Sequence, residues 1–142
     1  MKSSTLLKLF SFAFLLFPLL ADALEFPHTK PGLWEMRIQN STDGPAPSDS
    51  TSRMCLDEKS IKEAEELSKK DCSKYELHKE GGKWILNSVC KFGTMTVSSH
   101  VTTEYQGENS SHVVGDATFN PPLMGYSRAH TVVDNKWLGP CK

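Results

Sequence analysis

Apolar and polar residues alternate through residues 33–39, where three large apolar side chains are separated by three polar ones: Trp34, Met36 and Ile38 against Glu35, Arg37 and Gln39. A period of two is typical of a β-strand that buries one of its faces. A Lys-Pro-Gly turn signal at residues 30–32 precedes the segment. The pattern therefore predicts a half-buried strand over residues 33–39.

The second half of the chain carries the same signature repeatedly. Residues 94–105, 112–119 and 126–133 are rich in Thr, Val and aromatic residues, with a turn at 107–109 and a break at Asn-Pro-Pro, 120–122. Successive strands joined by short turns are expected to be antiparallel neighbours. The sequence thus predicts a mainly β (α+β) domain, an antiparallel meander of about six to eight strands with a half-barrel as its curled form.

Residues 57–70 have the pattern of a helix. Asp57 is a suitable N-cap, and Leu56 with Ile61 fits a hydrophobic staple. The apolar stripe of this helix is narrow and consists of Ile61, Ala64 and Leu67. We therefore expect one surface helix that turns a narrow face towards the domain.

Residues 40–52 show no apolar periodicity. They contain Gly44, Pro45 and Pro47 among Ser, Thr and Asp residues. This composition predicts a flexible surface loop, followed by a short strand end at residues 53–56.

A β-hairpin is predicted between Cys72 and Cys90, around Gly81-Gly82. A two-residue turn would pair Leu77 with Leu86 and give a clean apolar face. A three-residue loop would set Cys72 directly opposite Cys90. A β-bulge would reconcile the two registers.

The N-terminal segment has the three parts of a signal peptide. Lys2 and Lys8 supply positive charge, an apolar stretch runs to Leu20, and Ala21-Asp22-Ala23 fits a cleavage site. The unbroken apolar core is too short for a membrane-spanning helix. The sequence therefore predicts a periplasmic or secreted protein with residues 1–23 removed, 24–142 forming a single domain, and no membrane span after cleavage.

All four cysteines lie after the predicted cleavage site. An even count in an exported chain indicates two disulfides, and four cysteines allow three pairings. A zinc site of four thiolates would require closer C-x2-C pairs than this chain has. The hairpin brings Cys72 near Cys90, which favours that bridge and leaves Cys55 with Cys141.

Composition narrows the class of partner. Removing Lys2, Lys8 and Asp22 from 16 basic and 17 acidic residues leaves a net charge of −2 over about 119 residues. Domains that bind nucleic acid usually carry a basic excess, so no nucleic-acid partner is predicted. The length suits one domain with one core, and nothing in the pattern specifies an oligomeric state.

Several short segments together resemble a known family, the bacterial domain of unknown function 3617, whose members are small exported proteins. They are Lys30-Pro31-Gly32-Leu33-Trp34-Glu35, Cys55-Leu56, Cys72 before the Tyr75 strand, Gly82-x-Trp84 before Cys90, Gly93-Thr94-Met95-Thr96 and a terminal cysteine. The likeness spans nearly the whole chain after residue 23. It implies periplasmic export and a β-rich fold, and it carries no established activity.

The sequence contains no fingerprint of a known reaction. It has no G-x-S-x-G, H-E-x-x-H, P-loop or dinucleotide-binding motif, and bridged cysteines cannot act as nucleophiles. We therefore predict no enzyme activity, no catalytic residues and no cofactor.

Two kinds of binding site come into consideration. Trp34, Trp84, Tyr105, Phe119 and Tyr126 would line a curled sheet that accepts an apolar small molecule, although a small domain also needs such residues for its core. A binding module for an apolar molecule or an envelope protein is the leading hypothesis.

The alternative is a metal-binding protein. It would use His100, His112 and His130, which fall on three predicted strands. Pairing across the turn at Gly107 would leave His100 and His112 offset from each other.

Overall fold

The computed structural model describes residues 27–142; the predicted signal peptide, residues 1–23, lies outside the described residues. The described part forms seven strands and one helix, which are β1 Gly32–Thr42, β2 Ser48–Leu56, α1 Glu58–Lys69, β3 Cys72–Glu80, β4 Lys83–Phe92, β5 Met95–Tyr105, β6 Ser110–Leu123 and β7 Tyr126–Gly139.

All seven strands belong to one antiparallel sheet, in the order β2-β1-β7-β6-β5-β4-β3. Strands β3 to β7 form a meander, and the β1–β2 hairpin joins it alongside β7. β2 and β3 are the two edges, so the sheet is not closed into a barrel. The predicted mainly β meander with one helix is confirmed.

The β3–β4 hairpin combines both predicted registers. Near the turn Leu77 pairs with Leu86, and at the open end Cys72 pairs with Cys90. The register shifts between Cys72 and Lys74, because Ser73 is an extra residue in β3. The expected bulge is therefore present, and it allows an apolar face and a cross-strand disulfide in the same hairpin.

The prediction of a flexible loop over residues 40–52 is wrong. β1 continues to Thr42, β2 begins at Ser48, and their backbones pair as far as Asn40 with Ser48. β2 is an edge strand whose residues are nearly all exposed. A strand that buries no face needs no apolar alternation, so its sequence resembles that of a loop.

The predicted break at residues 120–122 interrupts a ladder without ending the strand. β6 runs on to Leu123, but its pairing with β7 shifts between Thr118 and Leu123. Proline has no backbone N–H to donate to the ladder, which explains the interruption at Pro121 and Pro122.

The strand register divides the sheet into an apolar face and a polar face, since direct cross-strand partners share a face. The apolar face carries Trp34, Met36, Ile38, Tyr75, Leu77, Trp84, Leu86, Val97, Val101, Thr103, Tyr105, Val113, Phe119 and Val133. The polar face carries Glu35, Arg37, Asn87, His100, Glu104, His112, Asp116, His130 and Asp134. Among the described hydrophobic residues only Trp34 and Cys90 are buried, so the apolar face is thinly covered.

The helix lies over the apolar face without packing closely against it. Asp57 caps its start by accepting a hydrogen bond from the backbone N–H of Ser60 at 2.7 Å. Lys69 Nζ lies 5.8 Å from the ring of Tyr75, on the apolar face. Ile61 is half-buried, but Ala64 is exposed and Leu67 is 63% exposed. The expectation that the stripe of Ile61, Ala64 and Leu67 packs onto the domain is therefore wrong beyond its first residue.

Two disulfides join Cys55 to Cys141 and Cys72 to Cys90, the pairing that the hairpin favoured. The first ties the C-terminal tail to the end of β2, immediately before α1. The second fastens β3 to β4 at the open end of their hairpin. With so little buried apolar surface, covalent links carry much of the task of holding this domain together.

Gly32, at the start of β1, allows a close backbone approach that a larger residue would prevent. Its φ is +144°, and an added Cβ would overlap Trp137 Nε1 and lie 2.6 Å from the carbonyl oxygen of Gly139. We expect Gly32→Ala to lower the free energy of unfolding by about 2–4 kcal/mol, through backbone strain and overlap together. Urea denaturation measures this loss.

Gly81→Ala is the matched control. Gly81 also has a positive φ, +55°, but an added Cβ would meet nothing within 4 Å. This variant should lose only about 1 kcal/mol, from backbone strain alone. Equal losses in the two variants would contradict the role of the contact with Trp137.

Candidate apolar cavity

A cavity of about 1030 Å³ lies between the apolar face, α1 and the segment before β1. Its size matches the sites that hold small molecules in other proteins. Its walls are formed by residues from most elements of the domain, among them Trp34, Met36, Leu56, Glu65, Thr103, Tyr105, Glu108, Ser111, Val113 and Asn135. Pro27, His28, Thr29, Lys30 and Pro31 complete the rim.

The cavity floor follows from the period of two in the strands. Trp34 and Met36 project from β1, and Thr103 on β5 pairs directly with Val113 on β6. Tyr105 pairs with Ser111 one step further along the same strands. Alternate positions on neighbouring strands therefore place apolar groups at the centre of the floor and hydroxyl groups beside them.

The rim segment is held by two indole groups. Trp34 Nε1 donates a hydrogen bond to the carbonyl oxygen of Lys30 at 2.8 Å, and Trp137 Nε1 donates to that of Pro31 at 3.1 Å. Lys30 Nζ lies 3.7 Å from the centre of the Trp137 ring and donates to Asn109 Oδ1 at 3.2 Å. These contacts fix one wall of the cavity and use the charge of Lys30 in a cation–π interaction.

The cavity contains few polar groups, and they differ in whether they have a hydrogen-bond partner. Asn135 Nδ2 donates to Ser111 Oγ at 3.1 Å. The hydroxyl of Thr103, a residue that is only 6% exposed, has no hydrogen-bond partner among residues 27–142. Partial burial raises the pKa of Tyr105, and the negative charge of Glu65 on α1 raises it further. The phenol of Tyr105 is therefore protonated at neutral pH.

The five aromatic residues proposed from the sequence do not share one place. Trp34 and Tyr105 form part of the cavity wall. Trp84 is on the same face, paired with Thr103, but stands outside the wall. Phe119 and Tyr126 pack edge to face, with ring centres 5.5 Å apart, near the β6–β7 turn. Contact of any of them with a ligand stays a prediction.

Other residues of the cavity wall were not predicted from the sequence as ligand-lining residues. Met36 and Val113 occupy the apolar positions of their strands, so alternation alone was sufficient to find them. Residues 27–31 have no such alternation. Their position depends on hydrogen bonds from Trp34 on β1 and from Trp137 on β7, and the second of these spans 106 residues.

The three histidines considered for metal binding all lie on the polar face. Each ring Nδ1 is hydrogen-bonded to a cross-strand neighbour: His100 to Asn87 at 2.7 Å, His112 to Asp134 at 2.6 Å and His130 to Asp116 at 2.7 Å. His112 pairs with Glu104 in the β5–β6 register and His100 with Asp116, so the two are offset. Within residues 27–142 no three such side chains are grouped to hold a metal ion. The arrangement gives the metal hypothesis no support.

The fold and the cavity define a class: a small, disulfide-bonded domain with an open antiparallel sheet whose apolar face is partly covered by one helix. No helix within residues 27–142 is long and apolar enough to cross a membrane. The family model for a protein of unknown function, DUF3617, matches residues 29–141, and the chain belongs to that family. No curated protein and no solved structure matches the chain.

Proposed function

We propose that this protein is a non-enzymatic binding module of the bacterial cell envelope, periplasmic or secreted, that holds an apolar small molecule in the cavity. The observation that carries the proposal is the 1030 Å³ cavity on an apolar face that is left thinly covered. Two disulfides are consistent with an oxidising compartment outside the cytoplasm.

The energetics of the apolar face support a ligand. Removing apolar surface from water contributes about 25 cal/mol per Å², yet Met36, Val113 and Tyr105 remain partly accessible beneath α1. An apolar molecule in the cavity would cover these side chains and the underside of the helix together. Binding would therefore supply the burial that the folded chain lacks.

The polar groups of the cavity support binding without catalysis. Among the described residues that line it, no hydroxyl is hydrogen-bonded to a histidine or a carboxylate. Activation of a nucleophile requires such a base within reach. The hydroxyls of Thr103, Tyr105 and Ser111 are therefore suited to orienting a ligand.

Binding of N-phenyl-1-naphthylamine, a neutral apolar fluorophore, tests the proposal. We expect its fluorescence to rise with the protein and to saturate at one site per chain. In Val113→Asp a carboxylate stands on the apolar floor, and burying it beneath the fluorophore should weaken the affinity at least about tenfold. Val113 lines the cavity, while its neighbour Val114 pairs with Val132 on the polar face.

Val114→Asp therefore carries the same charge change on the opposite side of one strand. It should bind the fluorophore within about twofold of wild type, since its carboxylate faces solvent. Circular dichroism checks that both variants fold. Absence of saturable binding to wild type, or equal losses in the two variants, would contradict the proposed function.

A further inference from the structure

Some of the charged side chains around the cavity have an interaction partner in the protein and others have none. Glu65, on the side of α1 that faces the cavity, forms no ion pair with any residue from 27 to 142. Lys69, four residues further along the helix, would be its natural partner, but Lys69 Nζ is directed to the ring of Tyr75. The carboxylate of Glu65 therefore faces the cavity without a counter-charge.

The cation of the rim does not supply that counter-charge. Lys30 is held against the ring of Trp137 and by Asn109. Glu108, a second carboxylate of the wall, also has no partner within the described chain. His28 is the remaining ionisable group of the rim, and it lies at the exposed end of the segment. The uncommitted charge of the cavity at neutral pH is thus negative.

A hydroxyl on the wall of the same cavity also makes no hydrogen bond within the described residues. Thr103 is nine-tenths buried and lines the cavity, and its hydroxyl makes no hydrogen bond within residues 27–142. No buried side-chain nitrogen or oxygen atom of the described residues lacks a partner, so the hydroxyl oxygen of Thr103 is accessible from the cavity, where a ligand can bond to it. Tyr105 lies two residues further along the same face of β5, close enough to Glu65 to be affected by its charge.

These groups form a polar corner, which we define as Glu65, Thr103 and Tyr105, next to the apolar floor of Trp34, Met36 and Val113. The floor suits a hydrocarbon body. The corner offers one carboxylate that only accepts hydrogen bonds and two hydroxyls that accept or donate. A head group with several N–H donors and a positive charge satisfies all three together.

We propose that the ligand of the cavity is an amphiphile with an apolar chain and a protonated amine head group, which Glu65 recognises. This inference rests on the proposed function and specifies the ligand of the same site. The chain would lie on the floor, with the ammonium between the carboxylate of Glu65 and the hydroxyls of Thr103 and Tyr105. A fatty acid would place two carboxylates against each other in the same corner.

The test uses three amphiphiles of equal chain length, below their micelle concentrations, as competitors of N-phenyl-1-naphthylamine at pH 7. They are dodecylammonium, dodecanol and dodecanoate. Wild-type protein should bind dodecylammonium about tenfold more tightly than dodecanol, as expected for a charge-assisted hydrogen bond, and dodecanoate least tightly.

Two neighbouring substitutions on α1 locate the effect. Glu65→Gln should remove the preference for dodecylammonium over dodecanol, by weakening the binding of dodecylammonium about tenfold. Glu66→Gln makes the same change in net charge at a residue outside the cavity wall, and it should keep the preference. Both sites are exposed on the helix, so both variants should fold as wild type does.

The outcomes separate the two proposals. Failure of all three amphiphiles to displace the fluorophore, together with absence of fluorophore binding, would contradict the proposed function itself. Binding of all three with equal affinity, or tightest binding of dodecanoate, would leave the cavity as a binding site and overturn the amine head group. An equal loss of preference in Glu65→Gln and Glu66→Gln would overturn the assignment to Glu65.

Discussion

Replacing both Cys55 and Cys141 by serine should lower the free energy of unfolding by about 4–5 kcal/mol. The bridge spans 86 residues, and a cross-link restricts the unfolded chain more when it closes a longer loop. The free energy of unfolding of a native protein is only about 5–15 kcal/mol in total. With only Trp34 and Cys90 buried among the described hydrophobic residues, this domain has little packing with which to offset the loss.

The second disulfide gives the matched comparison. Cys72 and Cys90 are 18 residues apart, so replacing both should cost about 3 kcal/mol. Urea denaturation of the two double variants beside the oxidised wild type measures both values. A smaller loss for Cys55 and Cys141 than for Cys72 and Cys90 would show that loop length does not control the stability of this domain.

Trp34→Ala should cost about 3–5 kcal/mol, the range for truncating a large buried aromatic residue. Trp34 is 7% exposed, forms part of the cavity wall and donates a hydrogen bond to Lys30. Its removal both withdraws buried surface and releases the segment at residues 27–31. Denaturation should show the loss of stability, and NMR order parameters should fall at residues 28–30.

Phe92→Ala is the control for aromatic truncation. Phe92 is 58% exposed at the end of β4, and the change should cost less than about 0.5 kcal/mol. Trp34→Phe separates the two roles of Trp34, since it keeps an aromatic ring and loses the N–H. That variant should cost about 1 kcal/mol for the hydrogen bond, and a loss equal to that of Trp34→Ala would contradict the packing argument.

Local signals in the sequence located the β3–β4 hairpin but left two registers open. Gly81-Gly82 indicates the turn, alternation favours pairing Leu77 with Leu86, and the two cysteines favour placing Cys72 opposite Cys90. All three signals act within 20 residues, and all three agree with the structure. The pairing of Cys55 with Cys141 then followed by elimination.

Edge strand β2 had no such signal. Its side chains are exposed, so they show no alternation. β2 is a strand because its backbone hydrogen-bonds to the edge of β1. Ion pairs between the two strands, such as Arg53–Glu35 at 2.8 Å and Arg37–Asp49 at 2.8 Å, support the pairing. Opposite charges on paired strands are visible only after the register is known. The same limit applied to His112 and His130, whose carboxylate partners are set by the β6–β7 register.

The sequence could not predict the cavity, for a different reason. The sequence identified a set of aromatic residues but not whether α1 would pack down onto them. Whether Leu67 is buried or 63% exposed depends on the height of the helix above the sheet, which no periodicity encodes. A packed apolar core and the wall of an apolar cavity therefore have the same pattern of residues in the sequence.

The position of β1 between β2 and β7 imposes an order on assembly. β1 is the first of the seven described strands along the chain, yet its inner neighbour is the last of them, and Leu33 pairs with Gly139. Contacts so distant in sequence form slowly, so the meander β3–β7 can assemble while the β1–β2 hairpin waits. Until β7 has paired with β1, Cys55 is not held near Cys141, so we expect this disulfide to form after the meander.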